Sequence, residues 1–273
     1  MAMTGAELKE KAFQIRKDII NMLGYARSGH PGGSLDLAEI MSVLYFDVMN
    51  FDFDNPQKED RDYFVMSKGH AAPALYSVFH IGGIISDEEI ESFRQKGSRL
   101  QGHPDRKRLP GIEASTGSLG QGFSIANGIA LGLKLDNKAN RVYSILGDGE
   151  LQEGIIWEAA MSAAHYKLDN LCAVLDNNGL QIDGSNDEVM SLGDIAAKWS
   201  GFGWNVIKAD GHDFDSLKQA FTAAEECKGE PSIIIAKTTK GKGVSFMENN
   251  PGWHGKPMDD QQLADAKAEL GME

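Results

Sequence analysis

Apolar residues near the start of the chain recur at helical spacing. Leu8, Ala12, Ile15, Ile19 and Met22 step by four and three and so fall on one face of a helix. Thr4 followed by Glu7 is the signature of a capping box and marks where that helix begins. It should stop at Ser28-Gly29-His30-Pro31-Gly32-Gly33, where proline and glycines oppose continuation. A second periodic segment predicts a helix over 36–48. Five short, nearly continuous apolar runs then read as buried strands: 63–66, 142–146, 171–175, 204–207 and 232–236. Helical patterns lie between most of them, at 120–135, 154–167, 192–199 and 213–227, and an Ala- and acid-rich surface helix is expected over 259–270. Strands apolar on both faces, alternating with helices, predict an α/β fold with a parallel β-sheet covered by helices on both faces. No internal repeat or low-complexity linker divides the chain, so residues 1–273 read as one domain.

Composition narrows the partners. With 273 residues the chain is long enough to bury a substantial core. Lys+Arg 27 against Asp+Glu 40 leaves a net charge of −13, which repels nucleic acid and anionic membrane surfaces. Anionic ligands would therefore need a local cluster of His, Lys or backbone N–H groups. The most apolar stretch, 123–135, is interrupted by Asn127 and Lys134 and is too short to span a bilayer. The N-terminus mixes acidic and basic residues without an apolar core, unlike a signal peptide. Cys172 and Cys227 lack metal-ligand spacing and read as buried free thiols. These features together predict a cytoplasmic protein. The 31 glycines exceed the usual share and ask for tight turns or close backbone–ligand approach.

Candidate chemistry concentrates where strands end, the usual ligand-binding edge of such a sheet. Gly147-Asp148-Gly149-Glu150 follows the second apolar run, and Asp176-Asn177-Asn178-Gly179 follows the third. Either alone is commonly a turn. Together they offer a carboxylate, an amide oxygen and a loop carbonyl, hard ligands suited to Mg²⁺, with diphosphate oxygens completing the octahedron. Of the seven histidines, His30, His70, His103 and His254 sit in Gly/Pro-rich turns. Loops at one sheet edge converge, and imidazoles there can meet hydroxyls and phosphate, neutral or protonated. His80, His165 and His212 lack such flanks.

The spacing of GDG and NN resembles the thiamine diphosphate fingerprint, and the whole chain resembles the N-terminal, diphosphate-binding half of a transketolase. The likeness runs through SGHPGGSLD at 28–36, SKGHAAPALY at 67–76, QGHPD at 101–105 and STGSLGQGFSIANGIALG at 115–132. It continues with GDGELQEGIIWEA at 147–159, LDNNGLQIDG at 175–184, KTTKGKGVSFMEN at 237–249 and WHGKP at 253–257. This resemblance implies that Asp148, Asn178 and the Leu180 carbonyl bind Mg²⁺, with Ca²⁺ or Mn²⁺ as substitutes. It implies diphosphate contacts from Gly149, His70 and His254, and a cofactor-side position for Lys240. Gly117, Ser118 and Leu119 would lie along the aminopyrimidine, and Ile182 under the thiazolium. His30, His103 and His254 would act in catalysis, the first two on the donor ketose. Glu153 would couple the site to a partner module, although a first-turn glutamate also suits a helix dipole.

The resemblance further implies ketol transfer between sugar phosphates by two chains. The glutamate that activates thiamine lies, in the family, in a second pyrimidine-binding module not found in these 273 residues. The expected partner is a separate C-terminal transketolase subunit, in an α2β2 heterotetramer. The alternatives are a non-catalytic thiamine diphosphate-binding protein, a truncated piece of a longer chain, a 2-oxoacid dehydrogenase α subunit, or a deoxyxylulose-phosphate synthase. The helix 120–135 carries Ala126, Gly128, Ala130 and Gly132, which suit either tight core packing or a subunit contact.

Overall fold

The computed structural model describes residues 3–272. The first helix, Gly5–Ala26, opens with the expected capping box: Thr4 accepts from the Glu7 N–H, and Glu7 accepts from the Thr4 N–H. It ends at Arg27 in the left-handed region. The single helix expected over 36–48 is instead a helix at Ala38–Val43 running into a π-helical turn at Leu44–Val48, and a one-turn helix at Gly32–Leu35 precedes them.

Among the described residues seven strands follow: β1 (Tyr63–Met66), β2 (Val142–Gly147), β3 (Leu171–Asn177), β4 (Leu180–Gln181), β5 (Gly184–Ser185), β6 (Asn205–Asp210) and β7 (Ser232–Lys237). Five of them form a parallel sheet in the order β1-β2-β3-β7-β6, at the positions the apolar runs predicted to within a few residues. The remaining two, β4 and β5, pair as a small antiparallel hairpin immediately after β3. The chain steps from β1 to β3, forms β6 at the far edge, then returns to insert β7 beside β3.

Side chains alternate across the sheet. Leu171, Ala173 and Leu175 enter one core with Phe123, Ala126, Ile156, Ala160 and Trp199. Cys172 and Val174 enter the other, with Ile15, Ile40, Leu75, Leu217 and Phe221. Burial on both faces explains why these strands read as continuous apolar runs. The helices flanking the first core, Gln121–Leu135 and Gly154–His165, are joined by the Asn127 amide, which donates to the Ala159 carbonyl at 2.8 Å. The small residues of Gln121–Leu135 divide between the two readings: Ala126 and Ala130 are buried, whereas Gly128 and Gly132 face open space.

The expected surface helix near the end is Asp260–Glu269. It docks on the first helix, and a Cβ at Gly24 would meet the Leu263 side chain at 2.7 Å. Cys172 is buried, but Cys227 is partly exposed, against the expectation that both thiols are buried. Among the described residues no helix is long and apolar enough to cross a membrane.

Candidate active site

Adjacent parallel strands deliver three loops to one edge: Gly147–Gly149 after β2, Asn177–Leu180 after β3 and Thr238–Lys240 after β7. They meet over a cleft of about 340 Å³. The first two loops are tied directly, because Asp148 accepts from the Gly149 N–H at 2.8 Å and the Gly179 N–H at 2.6 Å. Twelve more of the expected site residues line the cleft alongside Asp148: His30, His70, His103, Gly117, Leu119, Gly149, Glu153, Asn178, Leu180, Ile182, Lys240 and His254. Ser118 does not; it is exposed between two lining residues.

The four cleft histidines form one cluster. The His30 ring centroid lies 5.1 Å from that of His70, 5.5 Å from His254 and 6.3 Å from His103. Burial, followed by neighbouring cations, pulls His30 down to about 4 and His254 to about 3. Burial likewise lowers His70 and His103. The sequence leaves these imidazoles neutral or protonated, and burial favours the neutral form. At neutral pH these rings are uncharged hydrogen-bonding groups. The His254 Nδ1 accepts from the Lys240 ammonium at 3.1 Å, which leaves Nε2–H as the donor of that ring.

The cations of the cleft are lysines, and one of them does not stand out in the sequence. Lys68 is fully enclosed, donating to Asp176 at 2.5 Å and to the Gly33 carbonyl at 2.8 Å, with Asp36 at 3.5 Å. Burial opposes its charge, but the Asp176 and Asp36 carboxylates outweigh that cost and hold its pKa above the usual lysine value. Lys240, also buried, donates to the Leu180 carbonyl at 3.3 Å. Lys237 is exposed, and Lys242 pairs with Glu248 at 3.2 Å, so within the basic run only Lys240 reaches the cleft.

Glu150, Asp36 and Asp176 also escape sequence reasoning. Glu150 is buried and accepts from Ser67 Oγ at 2.5 Å, Gly120 N–H at 2.8 Å and Gly147 N–H at 3.0 Å. It thereby binds the GDG loop to the start of the helix Gln121–Leu135. Glycines serve this edge by letting protein segments meet. A Cβ at Gly69 would lie 2.8 Å from the Gly117 nitrogen, and one at Gly149 would lie 3.3 Å from the Gln181 Cβ. The glycine excess was expected to admit a cofactor; at Gly69 it admits another loop.

Asp148 Oδ, Asn178 Oδ1 and the Leu180 carbonyl comprise one carboxylate and two neutral oxygens. That donor set suits a hard cation such as Mg²⁺ with positions left for water and phosphate oxygens. Burial, then the neighbouring Asp176, raises the Asp148 pKa, and a divalent ion would relieve that unfavourable field. The residues present therefore fit the metal and the diphosphate.

Residues 9–273 match the family model described as transketolase, thiamine diphosphate binding domain. The chain belongs to the transketolase family. It is 42% identical over 267 residues to the 6-deoxy-6-sulfo-D-fructose transketolase subunit SqwG of Clostridium sp. (strain MSTE9), covering 98% of this chain and 97% of that relative. It is 43% identical over 239 residues to an apulose-4-phosphate transketolase subunit of Phocaeicola vulgatus, covering 88% and 85%. The transketolase structure from Campylobacter jejuni superposes with a TM-score of 0.92 at 35% identity, covering 99% of this chain but 44% of that one. The chain thus spans less than half the length of that solved transketolase and nearly all of the relatives named as subunits.

Proposed function

We propose that this chain is the diphosphate-binding subunit of a two-chain, thiamine diphosphate- and Mg²⁺-dependent transketolase. It moves a two-carbon ketol unit from a ketose phosphate to an aldose, working with a separate C-terminal subunit in an α2β2 heterotetramer. The observation that carries the reading is the convergence on one cleft of hard oxygen ligands, a buried lysine and neutral histidines. When bound, thiamine diphosphate supplies the electron sink for breaking the carbon–carbon bond next to the ketose carbonyl.

Asp148, Asn178 and the Leu180 carbonyl hold the metal. Lys240, His70, His254 and the Gly149 backbone receive the diphosphate. Gly117 and Leu119 would lie along the aminopyrimidine, with Ser118 exposed between them, and Ile182 would lie against the thiazolium. His30 and His103, being neutral, both donate to and accept from the hydroxyls and carbonyl of the donor sugar, and His254 acts beside them in catalysis.

An obligate partner is supported by the surface around the cleft. Glu153 caps the helix Gly154–His165 without a side-chain cap bond and is exposed. Ile182 is 66% exposed, and Ile125, Met161 and Met190 are exposed on the helices Gln121–Leu135, Gly154–His165 and Asn186–Met190. Relatives named as transketolase subunits match along nearly their full length, which favours a two-chain enzyme. Their names cover a sulfo-sugar and a sugar phosphate, so the fold accommodates more than one anionic ketose.

Reconstitution tests the reading. The chain, mixed with its partner subunit, should transfer ketol units between sugar phosphates only when both chains, thiamine diphosphate and Mg²⁺ are present. Tight cofactor binding without any transfer would leave a non-catalytic binding protein and overturn the enzyme.

A further inference from the structure

The segment HPGGSLD ends in a carboxylate with no evident partner in the sequence. Asp36 is completely buried behind the cleft, and so is Asp176 at the end of β3. Both face the side-chain amide of Asn178. Its Nδ2 donates to Asp36 at 3.0 Å and to Asp176 at 3.1 Å, while its Oδ1 accepts from the Leu180 N–H at 2.9 Å. The two amide hydrogens are thus each committed to a carboxylate. A flipped amide would set its carbonyl oxygen against the Asp176 carboxylate, which Lys68 and Thr238 hold ionised, so the observed orientation is favoured. Asp176 is itself held by Lys68 at 2.5 Å and by the Thr238 hydroxyl. Asp36 therefore supplies the half of the clamp that comes from outside the β3 loop.

We propose that Asp36 is a positioning residue for metal binding: with Asp176 it fixes the Asn178 amide so that Oδ1 is presented as a ligand oxygen. This rests on the assignment of Asn178 as a metal ligand. It also gives the HPGGSLD segment a second task besides carrying His30, since that segment sets the orientation of a ligand on a loop 142 residues away in sequence. Groups that orient a ligand in this way commonly change metal affinity by about 10–100-fold when removed.

The test is Mn²⁺ affinity, read by electron paramagnetic resonance with saturating thiamine diphosphate, on the chain assembled with its partner subunit. Asp36→Leu, which has no acceptor, should weaken Mn²⁺ binding at least about tenfold. Asp36→Asn, which keeps an acceptor oxygen, should restore affinity to within about threefold of native, a rescue that a merely space-filling role would not produce. If Asp36→Leu does not fold, Asp36→Ala carries the same expectation. Native affinity in the leucine or alanine variant, or equal losses in the asparagine and apolar variants, would overturn the proposal. Asp148→Ala serves as the separate control. If it binds Mn²⁺ as tightly as the native protein, the metal-site assignment itself fails, whatever the Asp36 variants do.

Discussion

Acidification from pH 7 to pH 5 should destabilise the protein through the cleft histidines. Both His30 and His254 are held neutral by burial first and then by nearby cations, with values pulled to about 4 and about 3. The unfolded chain takes a proton on each near its ordinary value of about 6.5, whereas the folded chain refuses it until much lower pH. Their contribution is therefore intact above about pH 6.5 and is lost as pH falls toward the folded values. Between pH 7 and pH 5 each histidine alone would withdraw about 1.8 kcal/mol, from 1.36 kcal/mol per unit of pKa difference. Both side chains are only partly buried, and solvent screening reduces the joint effect to about 2 kcal/mol. Urea denaturation at the two pH values measures it. A His30→Gln/His254→Gln double variant subtracts the carboxylates that also respond to acid. The native protein should lose about 2 kcal/mol more than the double variant. Equal losses would refute the claim that these rings are kept uncharged by the fold.

Two further predictions concern the frame around the site. His80 is gripped by Asp18 and Asp87, each at 2.8 Å, and these bonds raise it to about 9. Its stabilisation is complete below about pH 6.5 and disappears as pH rises through about 9. His80→Asn should therefore cost about 1–2 kcal/mol at pH 6, after discounting for exposure, and almost nothing at pH 10 by urea denaturation. A cost that persists unchanged at pH 10 would contradict the ion triad. Gly69→Ala should destabilise by about 1–3 kcal/mol, because the new Cβ meets the Thr116 and Gly117 backbone below 3 Å. A melting temperature equal to native would show that the loop yields freely.

The sheet was legible because its strands are apolar on both faces, and the edge loops because GDG, NNG and the Gly/Pro-flanked histidines fall where those runs end. The insertion of β7 between β3 and β6 was not legible, since strand order depends on long-range packing and leaves no local pattern. Nor was the hairpin of β4 and β5, whose two-residue strands are too short to show alternation. The charged floor of the cleft escaped for another reason. Lys68, Asp36 and Asp176 each look like ordinary solvated charges, and only the fold shows that Lys68 meets both aspartates out of water. A signal did exist: Lys68 and Asp176 both follow buried apolar runs with hardly a polar residue between. Histidine positions were readable from loop context, but their protonation was not, because it is set by burial and by lysines that only the fold gathers around them.

The central claim is that this cleft binds thiamine diphosphate through a metal held by Asp148, Asn178 and Leu180. Titration calorimetry on the chain assembled with its partner subunit tests it most directly. Thiamine diphosphate should bind saturably in the presence of Mg²⁺, and binding should vanish with EDTA or with the Asp148→Ala substitution. Undiminished binding by folded Asp148→Ala protein, or no binding by the native assembly, would contradict the account.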